Sequence, residues 1–125
     1  MFSVLIVDDN PSMGSALFDI LKFEGLNTFL AASGAQALQV LHDHPVDVLL
    51  TDVIMPEMDG VELYRRARQL YPQIITVLMT AYAADELIQQ GMAEGIKTIL
   101  TKPIDIEFLV LLLNTFRKRK AAENS

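Results

Sequence analysis

Five short apolar runs recur along the 125-residue chain, and each is followed by a segment with helical periodicity. The runs cover residues 4–7, 28–32, 46–51, 74–79 and 98–101. Uninterrupted apolar runs are typical of strands buried on both faces of a parallel sheet, whereas half-exposed strands alternate apolar and polar residues. We therefore predict an α/β fold with a five-stranded parallel sheet and helices on both faces.

Helix-start signals stand between the apolar runs. Asn10 and Pro11 are suited to an N-cap and a first helical position. Ser33 and Gln36 match a capping box, and Asp59 can cap the next helix. The two remaining helices are predicted over residues 84–94 and from residue 104 to about 118. Each predicted strand is thus followed by a helix, as a parallel sheet requires.

The length of the chain fits one domain. We assign that domain to residues 1–118 and expect residues 119–125 to be a frayed tail or the start of a linker to a further domain. Sixteen Asp and Glu outweigh ten Lys and Arg, which argues against nucleic-acid binding by this domain. With no cysteine, no signal-peptide pattern and no membrane-length apolar run, we expect a cytoplasmic protein without membrane contact.

Polar residues end four of the five predicted strands. Asp8 and Asp9 follow the first strand, Asp52 follows the third, Thr80 the fourth and Lys102 the fifth. Ligands of open parallel sheets bind beyond the carboxyl ends of the strands, where the strand order reverses. If the strand order is 2-1-3-4-5, the first and third strands are neighbours across that point, and the three carboxylates should converge there.

The converging side chains suit a particular chemistry. Three neighbouring carboxylates repel one another, and a divalent cation relieves that repulsion. Oxygen ligands without His or Cys favour Mg²⁺. Beside such an ion, Lys102 and the hydroxyl of Thr80 could stabilise a phosphoryl group. An ionised carboxylate can also act as the nucleophile, giving an aspartyl-phosphate.

These residues, taken together, resemble the receiver domain of two-component response regulators. The resemblance rests on the acidic pair Asp8-Asp9, the sequence DVIMPEMDG at residues 52–60, the pair Thr80-Ala81 and the pair Lys102-Pro103. It covers almost the whole chain, from Val4 to about Phe116. It implies a flavodoxin-like, or CheY-like, fold with strand order 2-1-3-4-5, and a phosphorylation-dependent signalling switch with slow chemistry of its own.

The resemblance also implies a role for each site residue. Asp52 would accept a phosphoryl group from a histidine kinase or a phosphotransfer protein. Mg²⁺ would be bound by Asp8, Asp9, Asp52 and the backbone carbonyl of Ile54. Lys102 would contact the phosphoryl oxygens, and its bond to Pro103 is expected to be cis. Thr80 and Ala81 would carry the change to the face that contacts partners.

Two positions depart from the family pattern. Ile99 stands three residues before the lysine, where the family usually has an aromatic switch residue. We therefore predict that activation depends on displacement of the loop and helix over residues 81–92. Tyr82 is large for its position, and we predict that Tyr82 and Ile54 together slow loss of the phosphoryl group.

Other functions remain open at this point. A Mg²⁺-dependent aspartyl phosphatase could use the same nucleophile, although Ile54 stands where the haloacid-dehalogenase type has its acid. A flavin or nucleotide binder of this topology would need a phosphate loop after the first strand, and no G-x-x-x-x-G-K sequence is present. A receiver that only binds proteins, without phosphorylation, is the third alternative.

Two surface features complete the prediction. Residues 108–113, in the last helix, are apolar nearly all round, and we favour a partner face there, such as a homodimer contact. The residues Arg65, Arg66 and Arg68 are expected to form the solvated face of the third helix.

Overall fold

A parallel sheet organises the protein, as seen in a computed structural model that describes residues 1–82 and 85–124. The strands in these residues are β1 (Ser3–Val7), β2 (Asn27–Ala31), β3 (Val48–Asp52), β4 (Ile75–Thr80) and β5 (Thr98–Thr101). They lie in the order β2-β1-β3-β4-β5, and all neighbours are parallel. The predicted fold class and strand order are confirmed.

Helices alternate with the strands along the chain. They are α1 (Pro11–Phe23), α2 (Gly34–Asp43), α3 (Gly60–Leu70), α4 (Glu86–Ala93) and α5 (Ile106–Glu123). The predicted caps are present: Asn10 accepts from two backbone N–H groups of the first turn of α1, and Asp59 does the same for α3. In α2, Ser33 accepts from Gln36 N–H, but the Gln36 side chain accepts from Ala32, one residue before the capping-box position.

Two helix ends differ from the sequence prediction. The start predicted for the fourth helix, Ala84, lies outside the described residues, and the described helix α4 begins after its N-cap, Asp85. Helix α5 continues to Glu123, well beyond the predicted end near residue 118. The added turn contains Lys120, whose ammonium contacts Asp47 Oδ1, and alanines, which favour helix. The assignment of residues 119–125 as a tail or linker stays a prediction.

Alternate residues of the strands supply two cores on opposite faces of the sheet. On one face, Val4 and Ile6 of β1 pack with residues of α1 and α5. On the other, Leu5 and Val7 pack with residues of α2 and α3. All five residues of β1 and of β3 are buried. This two-sided burial fixes the carboxyl ends of these strands relative to each other.

The apolar side chains of the last helix divide into a buried set and an exposed set. Leu109, Leu113 and Phe116 are buried against the sheet, whereas Phe108 and Leu111 are exposed by 48% and 65%. The exposed side chains leave the predicted partner face available, and a homodimer there stays a prediction. Within residues 1–82 and 85–124, no helix has the length and apolar character needed to cross a membrane.

The arginines of α3 do not all lie in solvent, and this part of the sequence prediction was wrong. Arg65 and Arg68 both reach Glu94, which follows α4, with nitrogen-to-oxygen distances of 2.6 and 3.2 Å. Arg66 instead pairs with Glu62 on its own helix, and its side chain is 52% exposed. The partner of Arg65 and Arg68 belongs to another element of the fold, so the sequence of α3 alone could not reveal it.

Candidate functional site

Three carboxylates meet where the strand order reverses. Asp8 directly follows β1, Asp52 is the last residue of β3, and these two strands are hydrogen-bonded neighbours. One carboxylate oxygen from each of Asp8, Asp9 and Asp52 lies within 4.8 Å of the others. Asp8 and Asp52 are only 2% and 4% exposed, whereas Asp9 is exposed. The structure therefore brings together the three acids that the sequence placed at strand ends.

A lysine side chain lies against these acids. Lys102 Nζ is 2.5 Å from Asp52 Oδ1 and 3.9 Å from Asp8 Oδ2. The backbone N–H of Lys102 donates to the carbonyl of Thr80 at 2.7 Å, which ties the end of β5 to the end of β4. The bond between Lys102 and Pro103 is cis, as predicted. The lysine is therefore positioned by the sheet itself.

Burial and crowding change the acidity of the central carboxyl. The pKa of Asp52 is raised from 3.8 to about 7. Burial is the largest cause, and the neighbouring carboxyl of Asp8 adds to it, whereas Lys102 opposes the increase. Asp8 Oδ1 accepts from the backbone N–H of Asn10 at 2.9 Å. Asp8 Oδ2 is buried and has no hydrogen-bond donor among the described residues. A cation could satisfy this orphaned oxygen, so the donor set fits a hard metal ion such as Mg²⁺.

The loop between β3 and α3 holds Asp52 by close backbone contact. A Cβ on Gly60 would lie 2.2 Å from the carbonyl oxygen of Asp52. The N–H of Gly60 donates to the carbonyl of Val53 at 2.7 Å. Earlier in the loop, Glu57 has φ 70, and Met58 N–H donates to the carbonyl two residues before it, which is a strained tight turn. This tight loop explains the glycine that follows Asp59, a role that the sequence did not reveal.

The predicted modulating residues differ in how deeply they are buried. Thr80 is 6% exposed, and its hydroxyl accepts from the backbone N–H of Tyr82 at 3.0 Å. Ala81 is exposed, as are the side chains of Tyr82 and Ile54, at 78% and 66%. Ile99 is different, because it is partly buried beside Leu78 and packs against the core under α4.

Sequence reasoning did not identify two contacts of the site. The backbone N–H of Asn10 orients Asp8, although the sequence indicates Asn10 only as a helix cap. Thr51 donates its hydroxyl to the carbonyl of Asp52 at 2.9 Å from a fully buried position. A buried threonine within an otherwise aliphatic strand was the available signal for the second contact.

The fold and the site define an open α/β protein with an acidic, lysine-containing site at its topological switch point. Comparison with known families then gives a specific assignment: residues 4–114 match the response regulator receiver domain. The chain belongs to this family. It is a receiver domain of the two-component signalling type, and this assignment excludes the alternative of a flavin or nucleotide binder.

Individual relatives agree with the family. Sporulation initiation phosphotransferase F of Bacillus subtilis (strain 168) is 36% identical over 104 residues, covering 83% of this chain and 84% of that protein. The transcriptional regulatory protein ZraR of Escherichia coli (strain K12) is 37% identical over 106 residues, covering 85% of this chain. The match covers 24% of ZraR, so the chain corresponds to about a quarter of that longer relative.

Solved structures show the same architecture. Chemotaxis protein CheY4 of Vibrio cholerae superposes with a TM-score of 0.85 at 31% identity, covering 93% of this chain and 98% of that one. The signal receiver domain of an HD domain-containing protein from Pseudomonas fluorescens Pf-5 superposes with a TM-score of 0.88 at 30% identity, covering 98% of this chain and 91% of that one.

Proposed function

We propose that Asp52 is the phosphoacceptor of this receiver domain and that phosphorylation of Asp52 switches the face that contacts partners. The observation that carries this proposal is the position of Asp52, a buried carboxylate 2.5 Å from Lys102 Nζ and grouped with Asp8 and Asp9. An acid that only capped a strand would gain nothing from burial beside two other acids. A nucleophile that must be shielded from water and stay close to positive charge requires this arrangement.

The proposed step is a simple substitution at phosphorus. A carboxylate oxygen of Asp52 forms a bond to phosphorus while the bond from phosphorus to the donor atom breaks, and the electron pair leaves with the donor. Lys102 lies where its ammonium can pair with a phosphoryl oxygen. Thr80 accepts from Tyr82 N–H and so retains its own hydroxyl hydrogen for donation to a second oxygen.

Asp8, Asp9 and Asp52 would hold Mg²⁺, with the backbone carbonyl of Ile54 as a further ligand. The grouping of the three carboxylates and the orphaned Oδ2 of Asp8 support this part of the proposal. When bound, the ion supplies positive charge that balances the phosphoryl oxygens. Lys102 already lies beside Asp52 and neutralises only part of the local negative charge, which leaves a need for the cation.

The proposed partners are a histidine kinase or a phosphotransfer protein, which would donate the phosphoryl group.

We further propose a cytoplasmic location, no direct nucleic-acid or membrane contact by this domain, and a homodimer through α5. The exposed Phe108 and Leu111 support the dimer contact. The domain would comprise residues 1–118, with residues 119–125 as a frayed tail or the start of a linker. The match covers only 24% of ZraR, which supports a further output domain in longer members of this family.

A switch differs from a phosphatase in how fast the phosphorylated aspartate is hydrolysed and used again. Ile54 is a hydrocarbon side chain, 66% exposed, at the position where a haloacid-dehalogenase phosphatase has its general acid. We therefore infer slow self-phosphorylation and slow hydrolysis without turnover of phosphate esters. The test is intact mass after incubation with Mg²⁺ and acetyl phosphate, combined with a phosphate-release assay on a simple phosphate ester. A gain of one phosphoryl group without ester turnover is expected, and rapid ester turnover would establish the phosphatase alternative.

Loading of the acidic site with Mg²⁺ is expected to release a proton near neutral pH. The pKa of Asp52, raised to about 7 mainly by burial, leaves this carboxyl about half protonated at pH 7 when no cation is bound. A cation favours the ionised form, so proton release on binding should be large at pH 6 and small at pH 8. Mg²⁺ affinity therefore rises with pH up to about 7 and then levels off.

Titration calorimetry in two buffers of different ionisation enthalpy measures this proton release directly. The Asp52→Asn variant is the control, because it cannot supply the proton from that position. Release that does not change between pH 6 and pH 8 would contradict the assigned acidity of Asp52.

Truncation of Tyr82 is expected to shorten the lifetime of the phosphorylated state. Tyr82 and Ile54 are both largely exposed and stand two residues after Thr80 and Asp52, positions from which we expect them to obstruct an approaching water molecule. Tyr82→Ala should increase the rate of phosphoryl loss by about threefold to tenfold, because water reaches the phosphorus more easily. The measurement is the decay of the phosphorylated mass after removal of acetyl phosphate. Tyr82→Phe keeps the ring and should behave like the parent, and equal decay in the parent and Tyr82→Ala would exclude the shielding role.

A further inference from the structure

Glu94, the residue that ends α4, is held by side chains of a different helix. Arg65 of α3 donates from Nε to both carboxylate oxygens, at 2.9 and 3.1 Å, and from Nη2 to Oε2 at 2.6 Å. Arg68, one turn further along α3, donates from Nη2 to Oε1 at 3.2 Å. Two guanidinium groups on one face of α3 therefore bind a single carboxylate.

The backbone of Glu94 is fixed by the same helix. Its carbonyl accepts from the hydroxyl of Tyr64 and from Arg68 Nη1, both at 2.8 Å. The next residue, Gly95, has φ 121, and a Cβ there would lie 2.7 Å from the Tyr64 hydroxyl. Ile96 N–H and Gly95 N–H return to carbonyls of the last turn of α4, which closes the helix in a Schellman arrangement. The carboxyl end of α4 is thus fixed through both side chain and main chain.

The amino end of α4 has no comparable attachment within the part of the chain that the structure describes. Asp85 caps the helix by accepting from Leu87 N–H at 2.8 Å, a contact within the same segment. Among the described residues, no side chain of another helix or strand hydrogen-bonds to residues 86–90. Contact of this half with the domain comes from packing of Ile88, with Leu87, against the small core that also contains Tyr64. Ile88 is fully buried, so this half is held by apolar contacts, which are non-directional, and not by hydrogen bonds directed from another element.

We propose that Glu94, gripped by Arg65 and Arg68, is an anchor about which α4 pivots when Asp52 is phosphorylated. This inference rests on the proposed function and describes how that site is read out. The amino end of α4 follows closely after Thr80, so a shift of Thr80 toward a phosphoryl group acts on the end that can move. Ile99, which packs against the core under α4, has no ring that could swing to transmit the change instead.

The anchor consists of partly exposed ion pairs, so its strength depends on ionic strength. Hydrogen bonds from Arg65 hold the pKa of Glu94 below its usual value, so the carboxylate stays ionised at neutral pH. The side chains of Glu94, Arg65 and Arg68 are 28%, 34% and 39% exposed. Charges with this exposure are screened by salt, so the anchor weakens as ionic strength rises. While the anchor holds, we expect displacement of α4 to be confined to its first half.

Arg65→Gln and Arg66→Gln form a matched pair for the test. Both remove one positive charge from α3, and both arginines contact Glu62 on that helix, but only Arg65 of the two also contacts Glu94. The readout is amide hydrogen exchange of the full chain, without ligand and with Mg²⁺ plus beryllium trifluoride as a phosphoryl mimic. Without ligand, Arg65→Gln should speed exchange at residues 94–96 by about tenfold, while Arg66→Gln leaves it unchanged.

With the mimic, changes in the parent should affect residues 86–90 and leave residues 94–96 as they were. In Arg65→Gln the changes should extend through residue 96. Unchanged exchange at residues 94–96 in ligand-free Arg65→Gln, or equal changes at both ends of α4 in the parent, would overturn the anchor. If the mimic leaves residues 52–54 and 80–82 unaffected, the proposed function fails instead, and the ligand-free comparison still decides whether Glu94 is anchored.

Discussion

Replacement of Asp52 by Asn is expected to abolish phosphoryl incorporation from acetyl phosphate. The amide oxygen of an asparagine at this position carries no negative charge and is a poor nucleophile, whereas the parent carboxylate lies buried beside Lys102. Intact mass after incubation with Mg²⁺ and acetyl phosphate should show one added phosphoryl group in the parent and none in Asp52→Asn. Asp19→Asn, which makes the same charge change on an exposed part of α1, should be phosphorylated like the parent.

Misfolding is not expected to explain this loss, because the Asp52→Asn variant should be at least as stable as the parent. Burial and Asp8 raise the folded-state pKa of Asp52 from 3.8 to about 7, so the native state binds more protons than the unfolded state between these values. The parent therefore loses stability as pH rises through that window, and Asn, which does not titrate, does not. Without Mg²⁺, the difference in free energy of unfolding between the Asp52→Asn variant and the parent should reach its full value at pH 8. A phosphoryl gain in folded Asp52→Asn would mean that another residue is the acceptor.

The acidic site could be predicted from sequence because its parts are local signals repeated at equivalent places. Asp52 ends an aliphatic run, and so does the pair Asp8-Asp9. An unbroken apolar run indicates a parallel strand, and the carboxyl ends of parallel strands share one edge of the sheet. Convergence of the acids therefore followed from the strand order alone, without knowledge of any side-chain contact.

The anchor at Glu94 could not be predicted in this way. Arg65 and Glu94 are 29 residues apart in sequence, and their contact depends on how α4 packs across α3. In the sequence, Arg65, Arg66 and Arg68 look alike as charges on one helix. Their environments differ because Glu94, at the end of α4, lies beside Arg65 and Arg68 and not beside Arg66, which follows from how α4 packs in the fold. Tertiary packing of this kind leaves no local pattern.

The extent of α5 was also underestimated for a physical reason. A run of four basic residues, 117–120, suggested a helix end because positive charge is favourable near a helix carboxyl terminus. The helix instead continues to Glu123, and Lys120 contacts Asp47 at the start of the sheet. That contact, again between distant parts of the chain, extends the ordered helix past the basic run.

Replacement of Gly60 by Ala is expected to destabilise the domain by about 3 kcal/mol or more. Gly60 begins α3, where alanine would ordinarily favour the helix by about 1 kcal/mol. The new Cβ, however, would lie 2.2 Å from the carbonyl oxygen of Asp52 and 3.1 Å from the Cα of Val53. These are buried backbone atoms at and just after the end of β3, and they cannot move aside as a flexible side chain could, so the steric effect exceeds the helix propensity.

Gly25→Ala separates this steric effect from the ordinary cost of losing glycine. Gly25 has φ 82, but a Cβ added there would have no atom within 4 Å, so its replacement should cost only about 1 kcal/mol through backbone strain. Denaturant unfolding measures both values. Because Gly60→Ala must displace the backbone of Asp52, it should also slow phosphorylation by acetyl phosphate by about tenfold or more, under conditions where the variant is folded. Equal destabilisation by the two replacements, with phosphorylation unchanged in both, would show that the close contact at Gly60 does not position the acceptor.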